Sequence, residues 1–214
     1  MKCVEGCFYS ALEKVATEMT VDEVVKEVKK DEFFYGDQGG VTISGGEPMF
    51  FAEKTIRLID KIKKEKISVI LETSGYFDEK FLSAIFNKVD LVLWDVKDTD
   101  DERHKKYTGV SNQKILNNLF KFDTLGGKTI MRCIMVKGVN TDEKHLNNIV
   151  DIYLRLKNVL GIEIFSYHHF SESKYENLGF VYAGKREWAT NRSEMQEIKE
   201  YLLLKGCKNV TITQ

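Results

Sequence analysis

Val41-Thr42-Ile43-Ser44-Gly45-Gly46-Glu47-Pro48 is the stretch from which the fold can be read. Its β-branched start favours an extended strand. Gly45 and Gly46 let the backbone turn tightly and approach a ligand closely. Pro48 suits the first turn of a following helix. The same order of apolar strand, polar turn and amphipathic helix repeats along the chain. Ser68-Val69-Ile70-Leu71 ends at Glu72-Thr73-Ser74-Gly75, and the run from Val89 to Trp94 ends at Asp95-Val96-Lys97. Lys128 to Val136 ends at Lys137-Gly138, and Gly161 to Phe165 is followed by Tyr167-His168-His169. Val210 to Thr213 is the last such run. Between them, helical spacing covers roughly 51–65, 78–87, 111–125, 141–157 and 191–205. Thr20 with Glu23 forms a capping box that opens a further helix bearing Val21, Val24, Val25 and Val28 on one face. The alternation predicts an α/β fold, a parallel sheet covered by helices, as a partial barrel or an open sheet. In both architectures ligands bind at the C-terminal ends of the strands, where the polar and glycine residues gather here.

The 214 residues suit one domain with a sizeable core, and 43% hydrophobic with 30% charged residues is ordinary globular composition. A formal net charge of −1 supplies no basic field for nucleic acid or an anionic membrane. No apolar run reaches the roughly 18 residues of a membrane span, and no signal peptide opens the sequence, so a cytoplasmic location is expected. The four cysteines, Cys3, Cys7, Cys133 and Cys207, are too scattered for a disulfide framework. Cys3 and Cys7 are the one close pair, and two thiolates alone complete neither a zinc nor an iron–sulfur site.

Each candidate residue has a functional and a plain reading. Glu47 either accepts hydrogen bonds from a ligand ammonium or simply favours the helix start behind it. Asp95 and Lys97 share a strand face, so they form either a ligand-binding corner or an ion pair of small value. Arg132 lies inside an apolar strand on the face of Ile130, Ile134 and Val136. It therefore needs an acidic or anionic partner, or solvent. His168 is a ligand-stacking ring or a polar loop residue. A lysine at a barrel rim beside an aspartate also admits Schiff-base lyase chemistry at Lys97. Ser44 and Ser74 lack the G-x-S-x-G elbow of a serine hydrolase.

Taken together, these strand ends resemble the activating enzymes of glycyl radical enzymes. This is the pyruvate formate-lyase activating enzyme group within the radical S-adenosylmethionine proteins. The matching text is Met19 to Val24, Gly39 to Pro48, Glu72 to Tyr76, Val92 to Lys97, Tyr107 to Asn112, Gly138 to Asn140, Tyr167-His168 and Glu172 to Tyr175. The resemblance implies a partial TIM-like (β/α)6 barrel. It implies that Gly45, Gly46 and Glu47 bind the methionyl amine of S-adenosylmethionine, and that Lys97, Arg132 and His168 contact the same cofactor. Glu72, Thr73 and Asp95 match a monovalent cation site. The implied chemistry is reductive cleavage of S-adenosylmethionine by a [4Fe–4S] cluster, whose 5′-deoxyadenosyl radical removes hydrogen from a glycine of a partner glycyl radical enzyme. Flavodoxin or ferredoxin is the implied electron donor.

One part of the pattern is missing. The family holds its cluster in a C-x-x-x-C-x-x-C loop, whereas Cys3 and Cys7 are followed by Ser10 at the third position. A second alignment makes Cys3 and Cys7 the end of a ferredoxin-type insert, half of an accessory cluster site. The expectation is therefore a remnant of that insert over 1–18 and a partial barrel over 19–214, with the first barrel strand and the radical-generating cysteines absent. Such a chain is expected to be inactive alone. The alternatives are a non-catalytic module that binds S-adenosylmethionine or the partner, and the Schiff-base lyase.

Overall fold

The computed structural model describes residues 2–9, 11, 12, 14, 16–36 and 39–213. Ser10, the third position of the expected cysteine loop, lies outside them, as do parts of the expected 1–18 remnant. Six strands form one sheet in the order of the chain, every neighbouring pair parallel. They are β1 (Gly40–Ile43), β2 (Ser68–Thr73), β3 (Leu91–Asp95), β4 (Thr129–Met135), β5 (Val159–Ser166) and β6 (Val210–Thr213). The helices are α1 (Lys2–Glu5), α2 (Val21–Lys30), α3 (Glu32–Tyr35), α4 (Ala52–Lys64) and α5 (Leu82–Phe86). After them come α6 (Asp101–Thr108), α7 (Gln113–Thr124), α8 (Glu143–Arg155), α9 (Glu172–Asn177) and α10 (Arg192–Leu204). Because β1 and β6 end the sheet without meeting, the barrel is open.

The two sheet faces differ, and the period of two in β2, β3 and β4 carries the difference. One set is fully buried: Leu71, Val92, Trp94, Met131, Cys133 and Met135 in the main core with helix residues such as Ile85, Leu119, Phe122 and Ile149, and Val69 in a second cluster with Ile59 and Ile62. The other set, with Ile70, Glu72, Leu93, Asp95, Ile130 and Arg132, is only half-buried. The parallel strands are therefore not shut in on both sides. Their second face is the open one, and the charged residues stand on it.

The expected capping box at α2 is present: Thr20 accepts from the Glu23 amide, and the Glu23 carboxylate receives the Thr20 amide. α2 packs on α4 through Val25, Ile59 and Ile62. Pro48 opens a 3₁₀ turn (Pro48–Phe51) that leads into α4. α6 has no apolar stripe from which to read it. Its ends hold it: Asp100 caps the N-terminus by accepting from the Arg103 amide, and Gly109 ends it in the left-handed region at φ 82°.

A polar knot joins the β3 end to α6 and α8. Arg103 donates to both oxygens of Asp98 and to Asp142, the N-cap of α8. Beside it, His145 is buried, with Nδ1 accepting from the Thr99 amide at 3.2 Å and Nε2 left without a hydrogen-bond partner among the described residues. Burial pushes its pKa down from 6.5 to about 4, against the opposing pull of Asp98. A histidine neutral in the fold takes a proton only when the chain unfolds. Stability is thus expected to fall as pH drops from 6.5 toward 4 and to lose no more through this group below that, for a total of roughly 3 kcal/mol. His145→Asn keeps an acceptor near Nδ1 and removes the titration. Urea unfolding at pH 7 and pH 4.5 should find a flatter pH slope in that variant. An unchanged slope would exclude His145 as its source.

Candidate functional site

At the C-terminal ends of β1, β2 and β3 the structure holds a cavity of about 370 Å³. Gly45, Gly46 and Glu47 line one side. Glu72, Thr73, Ser74, Asp95 and Lys97 line another, and His104 and Thr108 of α6 a third. Gly45 takes φ 114°, which disfavours a side chain. A Cβ built on Gly45 or Gly46 would meet nothing within 4 Å, so the turn faces open space. The Ser74–Gly75 turn beside it is locked in place: a Cβ on Gly75 would lie 2.4 Å from the buried Trp94 ring.

Glu47 is bonded through both carboxylate oxygens in the cavity wall. Its Oε1 accepts from the Met49 amide at 3.0 Å and from Thr73 Oγ1 at 2.6 Å. Its Oε2 accepts from the Ser74 amide at 2.8 Å and Ser74 Oγ at 2.5 Å. These four donors fill the usual capacity of a carboxylate. Glu47 thus caps the 3₁₀ turn and ties the β1 turn to the β2 turn. Thr73 is consequently committed: its hydroxyl donates to Glu47 and accepts from the Gly75 amide.

A charged row crosses the open face below the cavity. Asp95, Arg132 and Glu163 are register partners on β3, β4 and β5. Arg132 Nη1 lies 2.6 Å from Glu72 Oε1 on β2, and its Nε 3.4 Å from Glu163 Oε2, without the alignment of a hydrogen bond. Its guanidinium carbon stands 5.2 Å from the centroid of the Phe165 ring. Lys97 Nζ pairs with Asp95 Oδ2 at 2.9 Å. Asp95 Oδ1 is buried, 3.9 Å from Arg132 Nη1, and makes no hydrogen bond among the described residues. The partner that Arg132 requires is thus supplied by the chain itself, by Glu72 and Glu163. The Lys97 backbone is fixed in turn, because the buried Asn140 amide donates to the Lys97 and Ile134 carbonyls.

The remaining sequence candidates lie elsewhere. His168 is exposed, stacks on Phe170 with ring centroids 4.7 Å apart, and does not line the cavity. Cys3, on α1, is exposed, and neither Cys3 nor Cys7 lines the cavity. Cys133 and Cys207 are buried, and burial raises both thiols, Cys207 to about 11, so neither serves as a thiolate ligand. No group of three or more His, Cys, Asp or Glu among the described residues is placed to hold a metal ion. At most two cysteines are available, and they do not fit a [4Fe–4S] cluster, which takes at least three thiolates. The cavity does fit a small polar ligand: it has an open glycine turn, a half-buried carboxylate–lysine pair and one buried carboxylate oxygen without a partner.

Glu163 and Asn140 are not among the candidates the sequence offers, and Ser74 enters there only as a serine without the hydrolase elbow. For Glu163 a signal existed, since a lone carboxylate inside the apolar run Gly161–Phe165 is as anomalous as Arg132 in its own strand. Ser74 and Asn140 act through backbone contacts 27 and 43 residues away, which no local pattern encodes.

The Radical SAM superfamily model matches residues 2–149. The 4-hydroxyphenylacetate decarboxylase activating enzyme of Clostridioides difficile (strain 630) is 30% identical over 207 residues, covering 96% of this chain and 65% of that protein. The (2S)-3-sulfopropanediol dehydratase activating enzyme of Klebsiella oxytoca is 35% identical, covering 92% and 64%. The chain thus spans about 65% of the length of the curated relatives it matches. Among solved structures, a domain of pyruvate-formate lyase-activating enzyme from Bacteroides vulgatus ATCC 8482 superposes with a TM-score of 0.68 at 21% identity, over 82% of this chain and 99% of that one. Streptococcus suis SuiB bound to S-adenosylmethionine superposes with a TM-score of 0.70 at 12% identity, over 94% and 45%. At these identities the two structures speak for the fold.

Proposed function

The chain belongs to the Radical SAM superfamily, and from that premise we propose that it is the S-adenosylmethionine-binding barrel of an activating enzyme whose protein substrate is a glycyl radical enzyme. The observation that carries this reading is the cavity at the β1–β3 ends. Its glycine turn and carboxylate–lysine corner line one open space, and the buried Asp95 Oδ1 has no hydrogen-bond partner among the described residues. The resemblance to activating enzymes of two different glycyl radical systems supports the partner class.

In this reading Gly45 and Gly46 present backbone to the methionyl end, and Glu47 braces their turn. Lys97 and Arg132 face the carboxylate end, and His168 reaches the ligand only if its loop moves. A monovalent cation beside Asp95 Oδ1 is supported by that oxygen's lack of a partner. S-adenosylmethionine in this family supplies radical hydrogen abstraction. Among the described residues none is placed to hold a cluster, and what they supply is the binding and orientation of the nucleoside. Phe50 and Phe51, exposed at the same rim, are the surface a protein substrate would meet.

The 214-residue chain is expected to bind S-adenosylmethionine by titration calorimetry. After anaerobic treatment with iron and sulfide and reduction with dithionite, it is expected to release no 5′-deoxyadenosine. Near-stoichiometric 5′-deoxyadenosine would overturn the second expectation, and absence of binding the first. The Schiff-base alternative finds no support in the geometry, because Lys97 is half-exposed and ion-paired with Asp95, not desolvated.

A further inference from the structure

Three carboxylates and two cations share the open face of the sheet: Glu72, Asp95 and Glu163 against Arg132 and Lys97. The geometry shows how they divide. Lys97 takes Asp95 Oδ2 at 2.9 Å, and Arg132 takes Glu72 at 2.6 Å. Glu163 approaches the same guanidinium from β5 at 3.4 Å, so one positive charge is shared between two strands' carboxylates. These groups are between 17% and 30% exposed apart from Lys97, so water screens them only partly. The row carries one negative charge in excess beneath a cavity whose wall already contains Glu47. Without Glu163, Arg132 would balance Glu72 alone, and the row would be neutral.

We infer that Glu163 is a specificity-determining positioning residue: by engaging Arg132 from the β5 side it keeps the cavity floor negative, and so selects a sulfonium ligand over its uncharged thioether counterpart. The inference rests on the S-adenosylmethionine reading above. Methionyl sulfonium nucleosides carry one more positive charge than the corresponding thioethers and are otherwise nearly the same shape. A site can separate the two only by its field or by contact at the sulfur. Glu163 contributes to the field, and it does so from outside the cavity, since it is not among the lining residues.

The test is a pair of affinities. Titration calorimetry of S-adenosylmethionine and S-adenosylhomocysteine, in buffer free of sodium and potassium, gives their ratio for the wild-type chain, Glu163→Gln and Glu163→Asp. Glu163→Gln is expected to weaken S-adenosylmethionine about fivefold while S-adenosylhomocysteine stays within about twofold, the size expected of one charge acting across a partly screened site. Glu163→Asp keeps the charge and should keep the ratio. Raising ionic strength from 20 to 500 mM should reduce the wild-type preference and leave that of Glu163→Gln nearly flat. Equal weakening of both ligands in Glu163→Gln would make Glu163 merely structural, and an unchanged ratio would remove it from selectivity; either overturns the inference with the cofactor reading intact. If neither nucleoside binds the wild-type chain, both readings fail together.

Discussion

Arg132→Met is expected to lower the unfolding free energy by about 2 kcal/mol at pH 7 and to remove detectable S-adenosylmethionine binding. Among the described residues the side chain is the one cation in contact with both Glu72 and Glu163, and Asp95 lies at 3.9 Å. Methionine keeps the apolar stem, lacks the guanidinium, and leaves those carboxylates facing one another on one side of the sheet. A fully buried pair broken in this way costs about 3–5 kcal/mol, and the partial exposure of this group argues for the smaller figure. The pH dependence has a definite sign. The stranded carboxylates repel one another only while charged, so the penalty is full at neutral pH and smaller in acid. Denaturant unfolding of wild type and variant at pH 7 and pH 4.5 measures it. Glu72→Gln placed on top of Arg132→Met should restore part of the loss at pH 7, because it removes one of the stranded charges. A loss equal at both pH values, with no recovery in the double variant, would mean that Arg132 acts through packing on Phe165 and not through charge.

The same row of residues marks how far the sequence can be read. All six strands are legible, because each is a short apolar run ending in a turn, and the observed bounds of β1, β3 and β6 differ by two residues or fewer from the runs quoted. The Thr20–Glu23 box is legible because its two hydrogen bonds are local. α6 is not, since DERHKKYT has no apolar face and its helix is held by Asp100, Gly109 and the bonds from Ser111 and Asn112 to Asp101. The site divides along the same line. The sequence identifies Glu47, Asp95, Lys97 and Arg132 as residues in need of partners. It does not identify the partners, because strand register across β2 to β5 decides them. A shift of two residues in β5 would keep the same faces and replace Glu163 by Gly161 or Phe165 opposite Arg132. His168 shows the converse case: its motif is plain, but the loop after β5 carries it away from the cavity onto Phe170.

Glu47 sets the other large expectation. Its four donors come from Met49 on its own turn and from Thr73 and Ser74 on the next. Glu47→Ala leaves the buried Thr73 hydroxyl and the Ser74 amide without their acceptors at the same moment, and hydrogen bonds to a charged acceptor are worth about 1.5–3 kcal/mol each. The losses overlap, so a destabilisation of about 3 kcal/mol is expected, with S-adenosylmethionine affinity falling at least tenfold as the Gly45–Gly46 turn loses its brace. Glu47→Gln separates bracing from direct contact. The amide offers one acceptor oxygen, which can keep the bonds to one side of the turn, while its NH₂ faces donors on the other. If Glu47 works by bracing, Glu47→Gln should lose an intermediate amount of stability and an intermediate amount of affinity, so that the three proteins lie on one line. If the carboxylate instead binds the ligand's ammonium itself, Glu47→Gln should fall well below that line, with the same intermediate stability and affinity as poor as Glu47→Ala. The crowding of donors around both oxygens favours the first outcome, because an ammonium would have to displace Thr73 or Ser74 to reach them. Ser74→Ala vacates one of those positions. Under bracing it should weaken affinity slightly; a gain in affinity would show the ligand competing for Glu47 Oε2.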